Sequence, residues 1–226
     1  MDYSGKIITK NPVEPSQTSA PGVWTLDQAT QAVQGNNWPI AYVPNPISRS
    51  LRFNSADSAY LNRTLTTPTN NLKWTWSAWI KRTNLGASAI SFDAGDGSSN
   101  NFGAFQFTSG DVFTFNQANG GSYNLQLSTT AVFRDVSSWY HFVVIYDSAN
   151  ATSTDRVQVY VNGVRQSVSY TTGPFAQNTA SKINSAIAHY IGKLDYTGIY
   201  FNGYLTEVNF IDGQALTPSS FGLTDP

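Results

Sequence analysis

Two glutamates, two histidines and no cysteine are what this sequence offers to most catalytic chemistries. Hydrolysis of a sugar linkage by paired acids needs two carboxyl groups set across one bond. Glu14 lies in a proline-rich opening and Glu207 in the run Leu205-Thr206-Glu207-Val208-Asn209-Phe210-Ile211, which brings no second carboxylate. Paired-acid catalysis is therefore disfavoured, although scattered aspartates could still converge in space. Neither His141 nor His189 belongs to a Gly-x-Ser-x-Gly or His-Glu-x-x-His pattern, and no phosphate-binding glycine loop appears. Without cysteine there is no disulfide, zinc-thiolate site or thiol nucleophile. Serine-nucleophile, zinc and nucleotide chemistry all drop out, and we expect no enzyme.

Sugar recognition would use exposed aromatic faces flanked by hydrogen-bonding groups. Tyr123 lies near Asn124, Tyr170 before Thr171, Tyr196 beside Asp195 and Tyr200 near Asn202, among 12 tyrosines. In a sandwich most such residues serve the core or a rim, so the sequence does not locate a glycan site.

These side chains must be positioned by β-structure. Only 12% of the 226 residues are charged, and 20 Asn, 25 Ser and 23 Thr take their place, a composition that favours sheets and turns. The length allows one β-rich domain or two small ones, with roughly 70% of the unfolded surface buried. A net charge of -1 with 13 scattered basic residues leaves no footprint for a phosphate backbone, so nucleic acid is not an expected partner. Residues 1–10 lack the roughly 7–15-residue apolar run of a signal peptide, and no stretch approaches the ~20 apolar residues of a membrane span. We therefore expect synthesis and assembly in a cytoplasm, without membrane insertion.

Six of the ten prolines fall within the first 46 residues, which reads as an extended docking arm over residues 1–46 followed by a domain over residues 47–226. Inside the arm, Thr25-Leu26-Asp27-Gln28 has capping-box spacing and Gly35 supplies a stop, predicting one short helix over Leu26 to Gln34. Trp24 and Trp38 bracket it; with Leu26 they form the expected docking surface, packing either on this chain's own sandwich or on another subunit. From Ser50 onward the signals are β. Val157-Gln158-Val159-Tyr160-Val161-Asn162-Gly163 predicts a hairpin with a type I′ turn. Trp139 to Tyr146 and Leu72 to Lys81 read as strands buried on both faces. Phe102 to Phe107, Val112 to Asn116 and Tyr123 to Ser128 form a meander, and Tyr190 to Gly192 and Gly203 to Ile211 come last. Ten to thirteen short strands predict an all-β, two-sheet antiparallel jelly-roll sandwich.

Ser50-Leu51-Arg52-Phe53-Asn54, Trp76-Ser77-Ala78-Trp79-Ile80-Lys81, Trp139-Tyr140-His141-Phe142-Val143, Val159-Tyr160-Val161-Asn162-Gly163, Tyr190-Ile191-Gly192 and Phe201-Asn202-Gly203-Tyr204-Leu205-Thr206-Glu207-Val208 occur in that order. The set resembles the laminin-G-like, concanavalin A-like jelly rolls over about residues 50–221. The resemblance implies two packed antiparallel sheets, often with a concave ligand face. It makes His141 a hydrogen-bonded core residue, leaves His189 as a strand-entry residue, and has Glu207 bonding a neighbouring loop. The Glu-x-Asp-x-Glu pattern of related β-glucanases is missing around Glu207. Relatives often bind calcium at one rim through an aspartate, an asparagine and main-chain carbonyls, which suits a hard cation. Asp93, Asp96 and Asn100 are the local candidates, and an ordinary turn-rich loop is the competing reading; no other cofactor is expected.

Tyr3-Ser4-Gly5-Lys6-Ile7-Ile8 and Gly22-Val23-Trp24-Thr25-Leu26-Asp27-Gln28, followed by Trp38-Pro39, look like the openings of virion proteins from tailed bacteriophages. That resemblance implies a structural protein of the particle, a capsid decoration or a tail or fibre component. Its arm would dock on other virion proteins, and its jelly roll would face host glycans, commonly as a homo-oligomer such as a trimer. The alternatives are a tail-fibre carbohydrate-binding adhesin and a polysaccharide depolymerase.

Overall fold

The computed structural model describes residues 25–35, 37 and 49–222, in two compact units comprising residues 1–48 and 49–226. In the first unit one helix, α1 (Leu26–Gln34), is described. The Gln28 N–H donates to Thr25 Oγ1 at 3.3 Å while the Thr25 N–H donates to Gln28 Oε1 at 2.9 Å, so each of two backbone donors that helical bonding leaves free is satisfied by the other residue's side chain. Leu26 is the first helical residue. Trp24 and Trp38 lie outside the described residues.

The second unit contains β1 (Leu51–Phe53), β2 (Leu61–Thr64), β3 (Lys73–Arg82), β4 (Ala89–Gly95), β5 (Phe102–Phe107), β6 (Val112–Asn119), β7 (Ser122–Val132), β8 (Tyr140–Asp147), β9 (Val157–Val161), β10 (Val164–Arg165), β11 (Val168–Thr172), β12 (Ala188–Ile191) and β13 (Gly203–Asp212). They form an antiparallel sandwich of a six-stranded sheet, β1-β13-β3-β8-β9-β10, and a seven-stranded sheet, β11-β7-β6-β5-β4-β12-β2. The two-sheet architecture read from the sequence is what the chain adopts.

Alternation explains which face of each strand turns inward. Trp74, Trp76, Ala78 and Ile80 of β3 meet Phe105, Phe107, Phe113, Phe115, Leu125 and Leu127 across the interlayer space. Trp76 lies 4.8 Å from the Phe105 ring, and Trp74 stacks on Tyr146 at 5.2 Å. Each buried phenylalanine, leucine or isoleucine among them contributes about 1.5–3 kcal/mol, and aromatic contacts dominate this core. On β8 the outer-face residues Val143 and Ile145 are buried as well. The chain after β13 returns over that face, where Thr75 Oγ1 donates to the Gln214 carbonyl and accepts from the Leu216 N–H, both at 2.8 Å. Trp139, read as the first residue of this strand, lies just before it.

Asn162 and Gly163 take φ of 50° and 78°, the doubly positive turn that closes the β9–β10 hairpin with Val161 opposite Val164. Near the β5–β6 turn, the buried Asp111 carboxylate meets Arg82 at 2.9 Å and Arg134 at 3.1 Å. It also accepts from the Gly86 N–H at 2.9 Å. That backbone bond, together with the two guanidinium groups, holds the carboxyl down at about 2. Glu207 departs from expectation: among the described residues its carboxylate bonds no loop. The register of β13 against β3 shifts between Thr206 and Asn209, and Glu207 sits in this bulge, exposed, with φ 47°. An extra residue in one strand turns its side chain away from the ladder.

Candidate functional site

The phenylalanines and leucines that β5, β6 and β7 send inward leave every second position pointing out of the seven-stranded sheet. Cross-strand register aligns these positions into rows. One runs Asp93, Ala104, Asn116, Gln126 and Thr172 over β4, β5, β6, β7 and β11. The next runs Gln106, Thr114, Ser128 and Ser169. Neighbouring strands stand about 4.8 Å apart, so amides and hydroxyls repeat at that step across the sheet. Some of their capacity is used internally. Thr172 Oγ1 donates to Gln126 Oε1 at 3.0 Å, Gln106 Nε2 donates to Ser88 Oγ at 3.3 Å, and Thr114 Oγ1 donates to the Gln106 carbonyl at 3.2 Å. Among the described residues nothing accepts from the Gln126 amide nitrogen or donates to the Asn116 amide oxygen, and both residues are only half-buried.

The segment after β12 walls one side of this face. Leu194 joins Ile90, Phe102, Ala104 and Ala118 in a second apolar cluster, with Tyr196 and Ile199 against it. Tyr196 lies 5.0 Å from Phe102, and Tyr123 meets the same ring edge-on at 5.8 Å. Burial pushes the Tyr196 hydroxyl up to about 12, so it remains a neutral donor. Two of the tyrosines noted in the sequence thus share one aromatic wall beside the polar rows. Tyr170 instead faces the core, its hydroxyl buried without a partner among the described residues, and Tyr200 lies next to Tyr60 at 6.4 Å.

Asp93 begins the first row and is fully buried. The Asp195 N–H donates to its Oδ2 at 2.9 Å, while Oδ1 has no partner among the described residues. Burial, and then the adjacent Asp195 charge, push this carboxyl up to about 8, so it is protonated at neutral pH. This row is accordingly uncharged from Asp93 to Thr172. Asp195 accepts from the Gly97 N–H, and Lys193 lies 4.9 Å and 5.0 Å from the centres of the Tyr60 and Tyr190 rings.

The three residues weighed for a metal have different surroundings. Asp96 accepts from Asn101 Nδ2 at 2.9 Å, and the Asn100 carbonyl accepts from the Gly121 N–H at 3.1 Å. Asp93 contacts the segment after β12. Among the described residues no group of three or more His, Cys, Asp or Glu side chains is placed to hold an ion.

Both histidines are tied into the fold. His141 Nε2 is 2.8 Å from Ser77 Oγ and its ring stacks on Trp79. His189 accepts from the Asn184 N–H through Nε2 at 3.2 Å, which assigns the proton to Nδ1, 2.9 Å from the Ile187 carbonyl. Burial lowers the affinity of both rings for a second proton. The amide and hydroxyl rows were missed in the sequence; the polar residues alternating with Phe113, Phe115, Leu125 and Leu127 are the signal that marks them.

No curated protein matches the sequence. Among solved structures, domains LG4-5 of the mouse laminin alpha1 chain align over 83% of this chain and 48% of their own, with 12% identity and a TM-score of 0.53. A mutant of the NanB sialidase from Streptococcus pneumoniae aligns over 78% of this chain and 28% of its own, with 12% identity and a TM-score of 0.53. The chain thus spans less than half the length of either structure, and at this identity the likeness is one of fold. The family model described as the concanavalin A-like lectin/glucanases superfamily matches residues 27–220, which takes in α1 from its second residue and every strand of the sandwich, and the chain belongs to that family.

Proposed function

We propose that this protein is a glycan-binding, non-enzymatic module that holds uncharged sugars on the outer face of its seven-stranded sheet. The carrying observation is the pair of neutral rows with free amide capacity at Gln126 and Asn116, beside the Tyr123–Tyr196 wall. A sugar chain presents hydroxyls that donate and accept, together with apolar ring faces. Neutral amides answer the first and tyrosine rings the second. Charged groups would cost more to desolvate and would select charged ligands.

The test is titration of the full chain with purified uncharged bacterial surface polysaccharides. The double variant Asn116→Ala/Gln126→Ala should bind at least ~10-fold more weakly, about 1.4 kcal/mol or more, with an unchanged melting temperature. New reducing ends after prolonged incubation would replace this reading with a depolymerase.

A second reading concerns where such a module sits. The residues of the opening segment that look like tailed-bacteriophage virion proteins support a particle component, with residues 1–46 docking on other virion proteins and the sandwich turned to the host surface. Its test is incorporation into particles. The full chain should co-purify with virions and a chain lacking residues 1–46 should not; equal incorporation would remove the arm as the anchor.

A further inference from the structure

The opposite sheet carries a second concavity that the reading above does not use. On the outer face of the six-stranded sheet, Trp79 stands opposite His141 in register, and their rings stack at 4.8 Å with 21° between planes. Trp139, just before β8, meets Tyr204 edge-on at 6.4 Å. The short turn Pro218–Ser220 closes the far side. The result is a pocket of about 520 Å³ lined by Trp79, Trp139, His141, Asn162, Thr217 and Ser219, among others. That volume falls within the ~300–1,000 Å³ typical of small-molecule sites.

Its chemistry is specific. Both tryptophans are only half-buried, so indole surface lines the opening. The Asn162 Oδ1 is occupied by the His141 N–H at 2.8 Å, which fixes the amide and leaves its nitrogen without an acceptor among the described residues. Thr217 and Ser219 hydroxyls lie 2.8 Å apart, an adjacent pair able to share a diol. The named lining carries no carboxylate, lysine or arginine. His141 is anchored on Ser77 and stays neutral, since burial disfavours its charged form. A ligand suited to this pocket has one flat apolar face, neutral hydroxyls at its edge and no net charge.

We propose that this pocket is a second carbohydrate site, taking one terminal pyranose with its apolar face on an indole and its hydroxyls toward Asn162, Thr217 and Ser219. The inference extends the glycan-binding reading but rests on a different sheet, so the module would be bivalent, with one site on each outer face. Bivalence lets weak sites hold a repetitive surface firmly, because the second contact is made at high effective concentration.

The experiment titrates the full chain with a panel of uncharged mono- and disaccharides, following tryptophan emission and protein-detected NMR shifts. A saturable emission change is expected, with shifts at Trp79, Trp139 and Ser219. Trp139→Ala should weaken this response at least ~10-fold while leaving the melting temperature and polysaccharide binding at the amide face intact. Ser219→Tyr, which fills the pocket without removing an indole, should do the same. Asn116→Ala/Gln126→Ala should leave the emission response unchanged. If that double variant abolishes all binding while Trp139→Ala and Ser219→Tyr abolish none, the second site is overturned and the first stands. If the pocket variants alone abolish binding, the first reading falls and the second stands. If no sugar of the panel shifts the pocket residues, the proposal is wrong.

Discussion

Asp93 keeps its proton in neutral solution because its carboxyl is buried beside Asp195, with one oxygen unpartnered among the described residues. The unfolded chain releases that proton near 3.8, the folded chain only at about 8. Between these values the folded state binds more protons, so this residue's contribution to stability declines as pH rises from about 4 to about 8, and then levels off. Asp93→Asn keeps an acceptor for the Asp195 N–H and replaces the protonated oxygen with an uncharged amide. It should raise the melting temperature above pH 8 and flatten the decline below it. Thermal melts of both proteins across that range check this, and parallel pH profiles would refute it. Asp111 has the opposite sign. Its carboxyl is held at about 2, so its contribution is complete above the unfolded value of 3.8 and is lost as pH falls from there through about 2.

Strands and turns were legible wherever local chemistry decided them. Asn162-Gly163 names its own turn because both residues tolerate positive φ, and the capping box named α1 from four residues. Gly163 adopts φ 78°, so Gly163→Val should destabilise the sandwich by roughly 1–2 kcal/mol, with binding at the amide face preserved; chemical denaturation measures it, and no loss of stability would overturn the turn assignment. Non-local features were not legible. Nothing in Leu205 to Ile211 announces the extra residue that turns Glu207 outward. Trp79 reads as one more core tryptophan beside Trp74 and Trp76, and only its odd register position sends it to the outer face. The wall formed by Leu194, Tyr196 and Ile199 closes over strands some hundred positions earlier, and its docking is set by Ile90, Phe102 and Ala104 rather than by its own residues. The amide rows required the cross-strand register, although their alternation lies open in the sequence.

At the scale of the whole molecule, the main core of the sandwich, among the described residues, is built from side chains between Phe53 and Phe210. A chain lacking residues 1–46 should therefore retain one cooperative unfolding transition and the same far-ultraviolet spectrum; loss of either would show that the sandwich depends on the deleted segment.

The two flanks of that sandwich are not alike. β10 and β11 are edge strands of different sheets, yet only Gln166 and Ser167 separate them in the chain, so one flank is bound like a book at its spine. At the other flank β1 and β2 leave a gap of about 460 Å³ lined by Leu51, Phe53, Leu61, Ile191 and Leu205. The chain enters the sandwich there, through a three-residue strand that, among the described residues, pairs with β13 alone. Tension arriving from upstream of Arg49 would meet this short ladder first and peel it open, and the apolar gap would widen before any load reached the spine.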